Sequence, residues 1–404
     1  MTLIDDLAGA AIREEAEAGL QPVIDLRRAI HREPELGIAN PVTIGRVGDA
    51  IGDLPLEVHR GDGEITSMWA DLKGASDGPT VLLRADTDAL PMTEDTDLEF
   101  KSEIDGRAHA CGHDAHTAML VGAARMLAGR RDEIAGTVRF MFQPGEEGFG
   151  GAALMIDEGV LDGVDAAYAL HITPNVPSGF VAGRAGAIMA AADTFHITVR
   201  GAGGHASTPH FTTDPVTTAA HVVTAIQTMV TREIHVFEPA IVTVTQIQAG
   251  TTTNVIPETA ELAGTIRTMA PHTRDHVHLA IERVAHSVAA TYNATAEVSI
   301  EKGYPVTVNH PGPVEIVKGV TEAVLGERKF LELPFPVMGA EDFSYLLERV
   351  PGAMSLLGVC PDHIDNSLEA PACHSNKMML HEPAMANGMA VHAATALAAL
   401  AELR

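Results

Sequence analysis

The segment HACGHDAH, from His109 to His116, places three histidines, one cysteine and one aspartate within eight residues. Imidazole nitrogens and thiolate sulfurs are ligands that divalent transition metals prefer in proteins. Cys111 and His113 are separated by one residue, so both side chains can reach one ion from a loop. The segment therefore indicates a candidate metal site, although a single histidine or cysteine is more often a core or surface residue.

An adjacent pair of glutamates, Glu146 and Glu147, is a second feature that could take part in catalysis. One carboxylate of such a pair can bind a metal ion while its neighbour stays available to move protons. A metal lowers the pKa of a bound water toward about 7, where a nearby carboxylate can take the proton. The pair therefore favours a hydrolytic site over a closed structural metal site.

The candidate residues lie at the ends of predicted strands. A short apolar strand at residues 80–84 is followed by Asp86 and Asp88, and the strand GTVRFMFQ is followed by the glutamate pair. A third strand, DAAYALHITP, contains His171, and the histidine-rich segment begins the helix between the first two strands. Because the carboxyl ends of parallel strands lie at one edge of a sheet, we expect these side chains to meet there.

The order of the elements predicts an α/β fold. Strands and amphipathic helices alternate through the first part of the chain, which indicates a largely parallel sheet with helices on both faces. From residue 188 the pattern changes to β-α-β-β-α-β, which is typical of a ferredoxin-like α+β sandwich. We therefore predict a catalytic domain formed by residues 1–187 and 302–404, with a ferredoxin-like domain, residues 188–301, inserted into it.

Charge and composition exclude several classes of protein. The 404-residue chain has 27 basic and 54 acidic side chains, a formal charge of −27, which disfavours nucleic acids and anionic membranes as partners. No apolar run approaches the length of a membrane span, and the acidic N-terminus lacks the pattern of a signal peptide. The three cysteines argue against a disulfide framework. These features predict a cytoplasmic protein that acts on a small molecule.

Nine motifs extend over nearly the whole chain: RRAIHREPELG, LLRADTDALP, HACGHDAH, QPGEEGFGGA, ALHITP, GAGGHASTP, TTTNVIPETAELAGTIRT, GAEDFSYLLE and HSNKMMLHE. In sequence and order they resemble the M20 family of metallopeptidases and amidohydrolases, in the branch of hippurate hydrolases, aminoacylases and auxin-conjugate hydrolases. The resemblance implies a two-metal catalytic domain that carries an inserted lid or dimerisation domain. We therefore expect a homodimer or a larger homo-oligomer.

The resemblance also implies roles for individual residues. Glu146 takes the role of general base, and Asp88 that of a residue that orients a histidine ligand. The expected cofactors are two divalent metal ions, with zinc, manganese, cobalt and nickel as the candidates. The expected metal ligands are Cys111, His113, Glu147, His171 and His374.

Three residues of the inserted domain resemble substrate-binding residues. His205 and Asn254 are similar to residues that reach across a dimer to the substrate, and Arg267 is the candidate for gripping a substrate carboxylate. Each also has a simpler interpretation, namely a solvated strand end, a turn residue and a water-facing strand residue. Asp88 likewise has the alternative of capping a turn.

One motif departs from the family pattern. The last predicted ligand usually lies in HSPxF, whereas this chain has CHSNKMM. The difference affects the wall of the pocket more than the ligand itself. The remaining candidates, which are interpreted as core or surface residues, are His109, His116, Cys360 and Cys373.

The function that these features predict is metal-dependent cleavage of the amide bond of N-acyl or N-aroyl amino acids. A metallo-carboxypeptidase or dipeptidase that acts on short peptides is the nearest alternative. A second alternative uses Cys111 as a nucleophile with His113 or His116 as its base, but leaves the glutamate pair without a role. A third is a non-catalytic binding protein with a structural metal.

Overall fold

The computed structural model describes residues 9–61 and 63–404, so the first eight residues of the acidic N-terminal segment lie outside it. The described chain forms two compact units. The larger unit comprises residues up to Ile188, Val308–Phe335 and Asp342–Arg404, and the smaller unit comprises Met189–Thr307 and Pro336–Glu341. The predicted boundaries of a lid or dimerisation domain, and that role itself, stay predictions.

Helices and strands are interspersed along the described chain. In chain order the helices are α1 Gly9–Ala18, α2 Leu20–Arg32, α3 Pro41–Ile51, α4 His113–Gly129, α5 Gly151–Asp157, α6 Pro215–Glu233, α7 Pro271–Thr291, α8 Pro311–Leu325, α9 Ser344–Leu347 and α10 Met385–Glu402. The strands are β1 Glu57–Arg60, β2 Met68–Lys73, β3 Ser76–Asp86, β4 Ala135–Gln143, β5 Ala166–Thr173, β6 Val181–Gly183, β7 Gly186–Met189, β8 Ala191–Arg200, β9 Gly204–His205, β10 Ala240–Ala249, β11 Val255–Ile256, β12 Thr259–Thr268, β13 Thr295–Lys302, β14 Thr307–Asn309, β15 Phe330–Glu332 and β16 Gly352–Gly358.

The larger unit contains an eight-stranded sheet with the order β1-β2-β4-β3-β5-β16-β6-β15. Its centre is parallel, because β3 pairs in parallel with both β4 and β5, and β5 with β16. The antiparallel pairs are β1 with β2, β2 with β4, and β16 with β6. The predicted α/β class with a mainly parallel sheet is therefore confirmed.

The central strands are buried because helices cover them. The last six residues of β3 are all buried, and the apolar run at residues 81–83 is typical of a parallel strand covered on both sides. Asp86 is the last residue of this strand, two residues beyond the predicted end. The carboxyl ends of β3, β4 and β5 therefore bring the polar residues that follow them to one edge of the sheet.

Helix α10 forms part of the core of the larger unit. By length and composition the segment Glu382–Glu402 is apolar enough to cross a membrane, which the sequence interpretation overlooked. However, 83% of its most apolar 18-residue window is buried inside the fold, and its side chains pack with those of α4 and α8. Its hydrophobicity is therefore explained by its position in the core.

The smaller unit has a four-stranded sheet with the order β10-β12-β8-β13. All of its neighbouring strands are antiparallel, and the helices α6 and α7 pack on it around a separate apolar core. Asp214 begins α6, because its carboxylate accepts the backbone N–H of Val216 at 2.8 Å and Pro215 takes the first helical position. This is the element order that the β-α-β-β-α-β pattern predicts.

Candidate metal centre

Nitrogen, sulfur and oxygen donors from four separate segments meet at one edge of the large sheet. Cys111 Sγ lies 3.4 Å from His171 Nε2, and with His113 these residues offer three donor atoms within 4.8 Å of one another. Cys111 and His113 are buried, and His171 is half-buried. Cys111 and His113 flank Gly112, whose φ of 84° lets the chain turn into α4 at this point. The prediction that these distant segments converge agrees with this arrangement.

Glu147 lies between two histidines. Its Oε1 atom is 3.2 Å from His374 Nε2 and 3.9 Å from His113 Nε2. With Cys111, Glu147 and His374 form a second group of donors within 4.8 Å of one another. The carboxylate of Glu147 therefore lies within reach of the ring nitrogens on both sides of it. All five predicted ligands therefore lie in the same region, although their role as ligands stays a prediction.

The segment that carries His374 has an unusual backbone. His374 has a φ of 70°, in the left-handed region that side chains other than glycine seldom occupy. Its backbone N–H donates a hydrogen bond of 2.8 Å to the carbonyl of Ala110, next to Cys111. Such conformations persist where the surrounding structure enforces them, which is common at functional sites.

Asp88 connects the glutamate pair to the first histidine of α4. Its two carboxylate oxygens accept the backbone N–H groups of Glu146 and Glu147, each at 3.0 Å. Its Oδ1 atom is also 3.4 Å from His113 Nδ1. The side chain is fully buried, so these contacts are not weakened by water. Asp88 therefore lies where it can orient both a histidine and the backbone of the glutamates.

Sequence reasoning missed the part played by Asp86 and His116. His116 was interpreted as a core or surface residue, yet its Nδ1 atom lies 2.6 Å from Asp86 Oδ1. Its Nε2 atom accepts the backbone N–H of Ile172 at 2.7 Å, directly after His171. Asp86 Oδ2 is also 3.6 Å from His113 Nε2. The three-residue spacing of His113 and His116 on one helix face was the signal that could have indicated this contact.

The centre carries an excess of buried negative charge. Burial lowers the pKa of His113, but the carboxylates of Asp86, Asp88 and Glu147 outweigh burial and raise it to about 10. Burial raises the pKa of Glu147, but His374 and His113 outweigh it and bring the pKa below its usual value. The surroundings of His113 therefore strongly favour a positive charge at this point.

The side chains fit divalent cations. Both ring nitrogens of His113 and the Oε1 atom of Glu147 are buried and have charged neighbours at 3.2–3.9 Å, but none of these contacts has hydrogen-bond geometry. Buried polar atoms are normally paired, so a group of unpaired donors indicates a missing ligand. Imidazole, thiolate and carboxylate together suit a borderline transition metal such as zinc better than calcium or magnesium.

The three predicted substrate-binding residues belong to the smaller unit. His205 lies on β9, where its neighbour Ala206 donates its backbone N–H to the carbonyl of Asn254 at 3.0 Å, so these two residues are close. The ring of His205 accepts the hydroxyl of Ser207 at 2.8 Å. Arg267 lies on β12 and donates to the carbonyl of Ile266 at 3.0 Å. Their roles toward a substrate stay predictions.

Several relatives share most of the length of the chain. It is 41% identical to thermostable carboxypeptidase 1 of Saccharolobus solfataricus, over 93% of this chain and 94% of that protein. It is 38% identical to N-acetylcysteine deacetylase of Bacillus subtilis, over 83% and 88%. It is 36% identical to IAA-amino acid hydrolase ILR1-like 2 of Arabidopsis thaliana, over 94% and 85%.

Solved structures show the same fold. A putative aminohydrolase from methicillin-resistant Staphylococcus aureus superposes with a TM-score of 0.89 at 30% identity, covering 96% of this chain and 99% of that one. The YXEP protein of Bacillus subtilis, described as a dinuclear metal binding peptidase from the M20 family, superposes with a TM-score of 0.83 at 32% identity, covering 95% and 99%. Residues 82–398 match the model of peptidase family M20/M25/M40. The chain therefore belongs to this family.

Proposed function

We propose that the protein is a metal-dependent amide hydrolase that cleaves N-acyl or N-aroyl amino acids to a carboxylic acid and a free amino acid. The observation that carries this proposal is the position of Glu146 and Glu147 with His113, as donors within 4.8 Å of one another at the carboxyl end of β4. Consecutive glutamates at such a centre allow one to hold a metal and the other to move a proton.

The residues that would hold two divalent ions are Cys111, His113, Glu147, His171 and His374. Bound there, divalent ions supply polarisation of the substrate carbonyl and a lower pKa for water. Glu146 accepts the proton that the attacking water loses as its oxygen bonds to the carbonyl carbon. The same carboxyl group then donates this proton to the amide nitrogen as the C–N bond breaks. Asp88 fixes the backbone of both glutamates during these steps.

The relatives support an amide substrate. An N-acetylcysteine deacetylase and an IAA-amino acid hydrolase are named for amide bonds between an acid and an amino acid. The thermostable carboxypeptidase supports the alternative, in which short peptides are cleaved. Both reactions break the same bond with the same groups, so a panel of acetyl, lauroyl and benzoyl amino acids beside dipeptides, read by the amine released, distinguishes them.

A pair of variants tests the roles of the two glutamates. Glu146→Gln should retain both metal equivalents but lose roughly 10²–10⁴-fold in kcat, because the proton acceptor is gone. Glu147→Gln should lose metal as well as turnover, because it removes a donor between two histidines. Metal content is measured by elemental analysis on the same samples as the rates. Full activity in Glu146→Gln would remove the proposed base.

Chelation separates this mechanism from its competitors. Removal of the metal by EDTA should abolish turnover, and added zinc or manganese should restore it. A hydrolase that used Cys111 as its nucleophile would survive the treatment. Metal binding without hydrolysis of any substrate in the panel would favour a binding protein with a structural metal.

We further propose that the protein is cytoplasmic and forms a homodimer or a larger homo-oligomer. The three cysteines form no disulfide, as a reducing compartment would leave them. In the smaller unit the edge strand β10 exposes Ile241 and Ile247, which a partner chain would cover. Cell fractionation and light scattering of the purified protein test these two points.

A further inference from the structure

Helix α2 ends with the sequence RRAIHR, to which the proposed mechanism assigns no role. Arg27 in this helix is 2% exposed, although arginine is seldom fully buried. Its Nε atom donates to Asp114 Oδ2 at 3.0 Å, and its Nη1 atom donates to Glu382 Oε1 at 2.8 Å. One guanidinium thus joins two carboxylates that are far apart in the sequence.

These two carboxylates belong to the segments that carry two predicted ligands. Asp114 directly follows His113 in the first turn of α4. Glu382 lies in the tightly folded segment after His374, where Ser375 accepts the N–H of Met378 at 3.0 Å and Val359 accepts that of His381 at 2.9 Å. Arg27 therefore holds the start of α4 and the segment that follows His374 at a fixed distance from each other.

One turn further along α2, His31 makes a second connection of the same kind. Its Nδ1 atom is 2.8 Å from Asp114 Oδ2, and its Nε2 atom is 3.2 Å from Glu94. The residue after Glu94, Asp95, donates its backbone N–H to the carbonyl of Asn376 at 2.7 Å, two residues after His374. Arg27 and His31 thus each connect α2 to the start of α4 and to the segment of His374 through hydrogen bonds.

The two segments meet at Glu147, whose Oε1 atom lies 3.9 Å from His113 Nε2 and 3.2 Å from His374 Nε2. We propose that Arg27 is a positioning residue, which holds His113 and His374 at the separation at which both reach Glu147 and so sets the affinity of the centre for divalent ions. This inference rests on the proposed function only in taking the centre to bind such ions. Arginine suits the task because its rigid fork offers donors in two directions, whereas lysine is a single point charge.

A buried ion pair could instead contribute to folding alone, so the test needs a matched pair elsewhere in the unit. Arg139 binds Asp71 through two hydrogen bonds of 2.8 Å, with 12% and 9% of the two side chains exposed. This pair joins β4 to β2 and contacts neither the segment of His113 nor that of His374. Arg139→Met therefore removes a largely buried ion pair, together with the bonds of Arg139 to the carbonyls of Val160 and Asp162, outside the two ligand segments.

The experiment measures Zn²⁺ affinity of the full-length protein by competition with a chromogenic chelator, on samples shown to be folded by circular dichroism. Arg27→Met and Arg27→Lys should weaken Zn²⁺ binding by roughly 10–100-fold, as losses of residues that orient ligands commonly do. Arg139→Met should bind Zn²⁺ as the wild type does. Excess Zn²⁺ should restore kcat in the Arg27 variants with KM unchanged, which a general loss of packing would not produce.

Wild-type Zn²⁺ affinity in a folded Arg27→Lys variant, or an equal loss in Arg139→Met, would overturn the proposal. If Arg27→Met does not fold, Glu382→Gln takes its place, because it neutralises the carboxylate that Arg27 and Arg28 both bind and leaves Arg27 bound to Asp114. That variant should also weaken Zn²⁺ binding, and wild-type affinity in it would overturn the proposal. Because the readout is binding without substrate, a protein that hydrolyses no amide can still support or refute this role.

Discussion

The substitution Asp88→Asn tests whether the buried carboxylate of Asp88 stabilises the backbone of the glutamate pair. The aspartate accepts two backbone N–H groups at 3.0 Å with no exposure to solvent. Hydrogen bonds to a charged group contribute about 1.5–3 kcal/mol each, and a neutral one about 1 kcal/mol. Asparagine keeps one accepting oxygen and turns an NH₂ group toward the other N–H. The expected loss in free energy of unfolding is therefore about 3 kcal/mol.

Urea unfolding of the metal-free proteins, followed by circular dichroism, measures this loss. Asp165→Asn is the control, since this exposed carboxylate accepts a single backbone N–H, that of Thr80 at 2.8 Å, and its loss should cost less than about 1 kcal/mol. The Asp88 variant should also bind Zn²⁺ roughly 10–100-fold more weakly. The reasoning is refuted if Asp88→Asn is as stable as Asp165→Asn and binds metal normally.

Two further predictions concern a turn and an acid-sensitive group. Gly112→Ala should destabilise the larger unit by about 2–4 kcal/mol and lower its metal content, because the new Cβ would lie 2.4 Å from Ile172 Cγ1 at a φ of 84°. Gly106→Ala has a similar φ of 71° with nothing within 4 Å, so in urea unfolding it should lose only about 1 kcal/mol, and equal losses would contradict the steric argument. In the smaller unit, burial raises the pKa of Asp193, but His278 and Arg274 outweigh it and lower the pKa to about 2. Asp193 therefore contributes stability above about pH 4, and this contribution is lost as the pH falls toward 2. Between these pH values the free energy of unfolding should fall less steeply in Asp193→Asn than in the wild type. Parallel curves of the two proteins would disprove this.

The sequence predicted the family, the α/β class and the convergence of the ligand segments. The first two are confirmed, because apolar runs such as that of β3 and the motif order carry enough information. The convergence could be predicted because parallel strands present their carboxyl ends at one edge. Glu146 and His171 were found in this way, since each lies at or near the end of such a strand.

Contacts between side chains distant in sequence could not be predicted by the same means. Arg27 and Glu382 are 355 residues apart, and no local periodicity relates an arginine on a surface-like helix pattern to a carboxylate near the other end of the chain. The contact between His116 and Asp86 was not predicted for a related reason. Asp86 lies on a different element from His116, and the pattern gave each residue an adequate local explanation as a strand end or a helix residue.

The arrangement of charge gives a physical reason why folding and metal binding are coupled in this protein. Asp86 and Asp88 are fully buried beside His113, and together they favour a positive charge on its ring. In the absence of metal, a proton on the histidine partly balances these carboxylates. A divalent ion carries twice that charge and binds donors that the fold otherwise leaves without well-formed hydrogen bonds, so it stabilises the folded chain relative to the unfolded one. We therefore expect the residues that keep those donors together, Asp88 and Arg27 among them, to determine how strongly the ion is held as well as where it lies.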